Sequence, residues 1–149
     1  MVWGAFAFNG KSDLVVISGR MDSAKYQLVI GDQMDTHFER IAGTNFVFQQ
    51  DNATFHTSAS SSAFFKSKGV RLLDWPPKSP DLNPIENLWG YLVRRVYENG
   101  RQYGNIRDLR EAVDQAWRSI PDPLLKELID SMKDRIHDLI QKKGRKTRF

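Results

Sequence analysis

The chain has 149 residues, with 22 Lys plus Arg against 18 Asp plus Glu and a formal net charge of +4. That length fits one compact domain, expected over residues 1–149, and 40% apolar side chains can fill its core, which excludes wholesale disorder. The absence of cysteine excludes a disulfide scaffold, a thiolate zinc site and a cysteine nucleophile.

From the N-terminus, Val2 to Phe8 is apolar without a basic lead or a small-residue cleavage site, so it reads as a strand rather than a signal peptide. Starting inside a strand raises the expectation that something upstream is missing. With Leu14 to Ile17 it forms a predicted hairpin around the Asn9-Gly10 turn signal. Ser23 then caps a helix whose apolar positions are Tyr26, Ile30, Met34, Phe38 and Ile41.

The run Phe46-Val47-Phe48 predicts a strand that ends in the polar set Gln49-Gln50-Asp51-Asn52. A helix over 58–68 stops at Gly69, Val70 to Trp75 supplies another strand, and Pro76 to Pro80 forms a stiff connection. Three helices complete the order. The first carries Ile85, Leu88, Trp89, Leu92, Val93 and Val96; the second is capped by Asn105; the third is capped by Asp122 and runs through Leu125, Met132, Ile136 and Ile140. Such an order predicts an α/β fold, a small mixed sheet with flanking helices. No segment reaches the roughly 18 apolar residues needed to cross a bilayer.

Asp51 is the most informative residue, because in α/β sheets ligands bind outside the polar ends of strands. The alternative is that Asp51 only caps a turn. Glu86 follows Asn83 and Pro84 at a helix start, where it could close a capping box. Yet it also borders the apolar stripe, and two such carboxylates can converge on a hard cation such as Mg²⁺. Asp81 reads as a turn-fixing residue, while His56 could reach a phosphate or water beside Asp51. His37 and His137 have no ligand spacing, and Pro80-Asp81 with Glu86 lacks the lysine of a PD…ExK nuclease.

Residues 1–100 are balanced at 10 basic and 10 acidic side chains, so the positive excess lies in the last third. It peaks at Lys142, Lys143, Arg145, Lys146 and Arg148, a basic tail over 142–149 suited to phosphate, with a frayed solvated end as the alternative.

The stretches Phe46 to Ala53, His56-Thr57, Leu73 to Pro76 and Ser79 to Trp89 resemble the catalytic domain of the Tc-one/mariner superfamily of DDE transposases. The 34 residues between Asp51 and Glu86 match the spacing of its Tc-one branch, and Val2 to Phe6, Ala116-Trp117 and Ile120-Pro121 match as well. The resemblance implies a ribonuclease H-like fold in which three carboxylates hold two divalent metals, Mg²⁺ or Mn²⁺, that cut transposon ends and join them to target DNA. By that resemblance Asp51 is the second carboxylate and Glu86 the third, with Asn52, His56, Asp81 and Asn83 supporting them. The family's first Asp lies on a strand upstream of the Val-Trp-Gly segment, and its helix-turn-helix DNA-reading region lies further upstream. Neither has a counterpart here, so the fold is expected to lack its first strand and the chain to cut little DNA alone. A non-catalytic DNA-binding remnant is the alternative. The expected partners are DNA and a second copy of the chain, with no membrane and no small-molecule cofactor, in the nucleus.

Overall fold

In the computed structural model, which describes residues 1–149, the chain divides into two compact units, Met1–Pro80 and Asp81–Phe149.

The first unit begins with four short strands, β1 (Val2–Trp3), β2 (Phe6–Ala7), β3 (Gly10–Lys11) and β4 (Val15–Val16), paired antiparallel as β1 with β4 and β2 with β3. This is the expected hairpin with a tighter turn: Ala7 faces Gly10, so only Phe8 and Asn9 lie between the strands. Gly10 adopts a φ of 144°, a conformation L side chains rarely take, and an added Cβ would meet Ile41 at 3.4 Å. Between the two ladders Gly4 and Ala5 face three residues, Ser12 to Leu14, which makes a bulge. Buried Ser12 holds it, its N–H donating to the Ala5 carbonyl while its Oγ accepts from the Ala5 N–H, both at 2.9 Å.

Helix α1 (Ser23–Gln33) continues through a wide π turn (Met34–Phe38) into α2 (Glu39–Ala42). Its cap is Asp22 rather than Ser23, because the Asp22 carboxylate takes the Lys25 N–H at 2.8 Å. Apolar residues recur every four positions from Tyr26 to Phe38, and on an ordinary α-helix each such step drifts about 40°. The wider turn offsets that drift, so that Tyr26, Ile30, Phe38 and Ile41 are all buried.

Strands β5 (Val47–Phe48) and β6 (Arg71–Leu72) pair in parallel around the crossover helix α3 (Ala59–Ser67). Ser58 caps α3 by accepting from the Ser61 N–H, and Gly69 turns the chain away at a φ of 67°. Both pairing senses of a mixed sheet are therefore present, as three two-stranded ladders. Phe65 lies at the centre of this unit's core, stacked on Phe48 at 5.6 Å, with Phe38 stacked on the other side of Phe48 at 5.6 Å.

The second unit is helical: α4 (Pro84–Val96), α5 (Ile106–Arg118), α6 (Asp122–Asp130) and α7 (Met132–Gln141). Its buried residues include Leu88, Leu92, Val96, Trp117, Ile120 and Leu125, with Trp89 stacked on Trp117 at 5.5 Å. Asn105 caps α5 as expected. The helix expected to run from Asp122 to Ile140 is instead two helices that meet at Ser131, whose Oγ donates to the Leu128 carbonyl at 2.6 Å, with Pro121 rather than Asp122 at the cap position. Ile136 and Ile140, expected in the core, are exposed; the buried residue of α7 is Arg135. No helix is long and apolar enough to cross a membrane.

Candidate active site

Asp51 follows β5, an exposed residue at a polar strand end, as its sequence position predicts. Its Oδ1 accepts two hydrogen bonds, from the Ala53 N–H at 3.0 Å and from His56 Nδ1 at 2.6 Å. The turn-capping alternative is thus met by one oxygen alone, and Oδ2 stays free. An ionised carboxylate has only acceptors, so the network assigns the proton of the short bond to His56 Nδ1. Nε2 of the same ring makes no hydrogen bond.

His56 is fixed by more than Asp51. Its side chain is only 13% exposed and packs against both Tyr26, at 4.5 Å between ring centroids, and Phe55, at 4.3 Å. Tyr26, fully buried, donates its hydroxyl proton to Gln50 Oε1, and Gln50 Nε2 reaches the His56 carbonyl at 3.5 Å. Burial, reinforced by the Asp51 carboxylate, pushes the Tyr26 hydroxyl far above its ordinary pKa, so it remains a donor at any working pH. Gln50 belongs to the polar run that marks the strand end, but Tyr26 reads in sequence only as a core position. Asn52 does not join this group; its Nδ2 donates to the Trp75 carbonyl at 2.9 Å and ties the end of β5 to the segment after β6.

Glu86 stands in the second unit, in the first turn of α4. Its N–H donates to the Asn83 carbonyl at 3.1 Å, while its exposed carboxylate makes no hydrogen bond or ion pair. The capping-box alternative is therefore not realised. Asn83 occupies the cap position, but its side chain makes no capping bond to the helix; the backbone carbonyl and Pro84 begin the helix instead. An acid in the first turn is also favoured by the helix dipole.

Asp81 has a structural role. Its Oδ2 accepts from the Thr147 N–H at 2.6 Å, which holds its carboxyl below the usual carboxylate range. Its carbonyl accepts from Arg135 Nη1 at 2.7 Å, and Arg135 Nη2 reaches Asn87 Oδ1 at 2.8 Å. The basic tail is consequently pinned rather than frayed. Thr147 is buried, and the Arg148 N–H donates to Asp138 Oδ2 at 3.0 Å. Lys142 pairs with Asp138 at 2.9 Å, while Lys143, Arg145, Lys146 and Arg148 are exposed.

Within neither unit do three His, Asp or Glu side chains gather into a ready metal cage. The donor chemistry nevertheless suits a hard divalent cation, because Asp51 keeps one oxygen free and Glu86 keeps both, each exposed.

Residues 1–110 match the family described as DDE superfamily endonuclease. The transposable element Tc3 transposase of Caenorhabditis elegans is 46% identical over 97% of this chain and 44% of its own length. Among solved structures, the Mos1 transposase catalytic domain with Raltegravir and Mg superposes with a TM-score of 0.83 at 17% identity, covering 97% of this chain and 74% of that one. The Mos1 paired-end complex with the left transposon end gives 0.84 at 17% identity, over 98% of this chain and 43% of that one. The chain spans about half the length of the curated relatives it matches. It belongs to the DDE superfamily endonuclease family and has the ribonuclease H-like fold of the Mos1 transposase catalytic domain.

Proposed function

We propose that the chain serves divalent-metal-dependent cleavage and transfer of DNA strands, with Asp51 and Glu86 as metal ligands. The observation that carries this reading is the division of labour at Asp51, where His56 and the Ala53 N–H engage one oxygen and leave the other free. Such pinning fixes which oxygen faces a cation. Mg²⁺ or Mn²⁺ at these carboxylates would polarise the phosphoryl group and supply a water-derived nucleophile at neutral pH. The relatives in which this fold was solved with Mg and with Mn support that choice of metal.

His56 orients Asp51, and Asn52 holds the strand end against the Trp75 segment. Glu86 offers both oxygens from a helix start. Lys143, Arg145, Lys146 and Arg148 are exposed cations suited to DNA phosphates, with Lys142 shared with Asp138. The Mos1 transposase was solved as a paired-end complex with the left transposon end, which supports DNA as the partner here; a second copy of the chain belongs to the same proposal. A nuclear place of action belongs to the same proposal.

Incubation with a transposon-end duplex and Mn²⁺ tests the reading. Slow nicking is expected, reduced at least about 100-fold by Asp51→Asn or Glu86→Gln. Nicking that needs no metal, or that survives either substitution, contradicts it.

A further inference from the structure

Arg135 is 1% exposed, the most unusual burial in the second unit, since an arginine is rarely hidden without a carboxylate partner. Here all its contacts are to uncharged groups. Nε donates to Ser131 Oγ at 3.0 Å, Nη1 to the Asp81 carbonyl at 2.7 Å and Nη2 to Asn87 Oδ1 at 2.8 Å, while the guanidinium carbon lies 4.7 Å from the centre of the Phe149 ring. The Asp81 carboxylate, which acts on Arg135 through its charge, gives Oδ2 to the Thr147 N–H instead.

Asp81 and Asn87 bracket Glu86. One is the residue before the buried Leu82 that leads into α4, and the other is the next residue along the helix. A guanidinium is planar, with donors in a fixed fork, so bonding both groups sets the distance between them in a way a single ammonium cannot. The approach to α4 at Asp81 and its first turn at Asn87 are thereby tied to one guanidinium, and Glu86, whose carboxylate makes no hydrogen bond, takes its position from that turn. Metal ligands need placement to within about half an ångström.

We propose that Arg135 is a positioning residue for Glu86, acting through Asp81 and Asn87 to hold that carboxylate where a divalent metal can use it. The proposal rests on the reading of Glu86 as a metal ligand. It adds a residue from the far end of the chain to the catalytic apparatus, and it explains why a charged group is buried in α7 where a leucine would pack at less cost.

The test is Mn²⁺ affinity, measured by calorimetry on the full chain. Asn87→Ala breaks the arm of the clamp beside Glu86 without leaving Arg135 unfilled at its other donors, and Arg135→Lys keeps the charge but loses the fork. Near-UV circular dichroism of the stacked Trp89–Trp117 pair reports that each variant is folded. Both variants are expected to weaken Mn²⁺ binding by about 10-fold, the low end for outer-shell partners of a metal. Glu86→Ala should weaken it further, and Asn87→Ala added to Glu86→Ala should then change nothing more. A folded Asn87→Ala chain with wild-type affinity overturns the proposal, as does equal weakening with and without Glu86. Unchanged affinity in Glu86→Ala alone overturns instead the ligand reading beneath it.

Discussion

His56 Nδ1 lies 2.6 Å from Asp51 Oδ1, and the imidazole is held there against Tyr26 and Phe55. A histidine five residues after an aspartate has become a fixed donor, so the carboxylate it serves has one committed and one available oxygen. His56→Ala should therefore lower Mn²⁺-dependent nicking about 10-fold, as loss of an outer-shell partner does. His56→Asn, whose amide can replace Nδ1 as donor, should recover part of it. Equal loss in both variants would mean that His56 acts otherwise than through this bond.

The acid limb of stability should depend on Asp81. Its bond from the Thr147 N–H lowers its folded-state pKa below the unfolded value, so the stabilisation is fully present above about pH 4 and is lost as pH falls through the folded value. Asp81→Asn should lower Tm at pH 7 and flatten the decline of Tm between about pH 4 and pH 2. A decline as steep as in the wild type would remove Asp81 from the account.

Burial separates two substitutions that hydrophobicity alone would rank together. Phe65→Ala opens a hole beside Phe48 and should cost about 3–5 kcal/mol in urea unfolding. Ile140→Ser, at a site 70% exposed, should change stability by less than about 0.5 kcal/mol. A large loss at Ile140 would show that this face is covered in solution.

For the tail, replacing Lys143, Arg145 and Lys146 by Gln keeps the Thr147 anchor while removing three exposed charges. The slope of log affinity for duplex DNA against log salt should become shallower by about 0.9 for each phosphate that is no longer neutralised. Fluorescence anisotropy across a salt series measures it, and an unchanged slope would mean that DNA does not lie along these residues.

Much of the site was legible because it is local. The polar end of β5, the Asn105 cap and the Pro84 helix start all follow from residues within a few positions of one another. What escaped depends on long-range packing. Arg135 falls on the stripe of Leu125, Leu128, Met132 and Leu139, where its helical spacing could have signalled burial, but its acceptors at Asp81 and Asn87 are 54 and 48 residues away. Tyr26 escaped likewise, since an apolar period says that a ring is buried and not that its hydroxyl meets Gln50. The break at Ser131 was hidden because apolar spacing continues across it.

On this account Asp51 and Glu86 are both divalent-metal ligands. Fe²⁺ can replace Mg²⁺ at carboxylate sites, and with ascorbate and peroxide it cuts the polypeptide close to where it is bound. Mass spectrometry of the fragments should locate scission next to both Asp51 and Glu86, suppressed by excess Mn²⁺, and weakened at Asp51 by Asp51→Asn and at Glu86 by Glu86→Gln. Scission at only one of them, or at neither, would contradict the account.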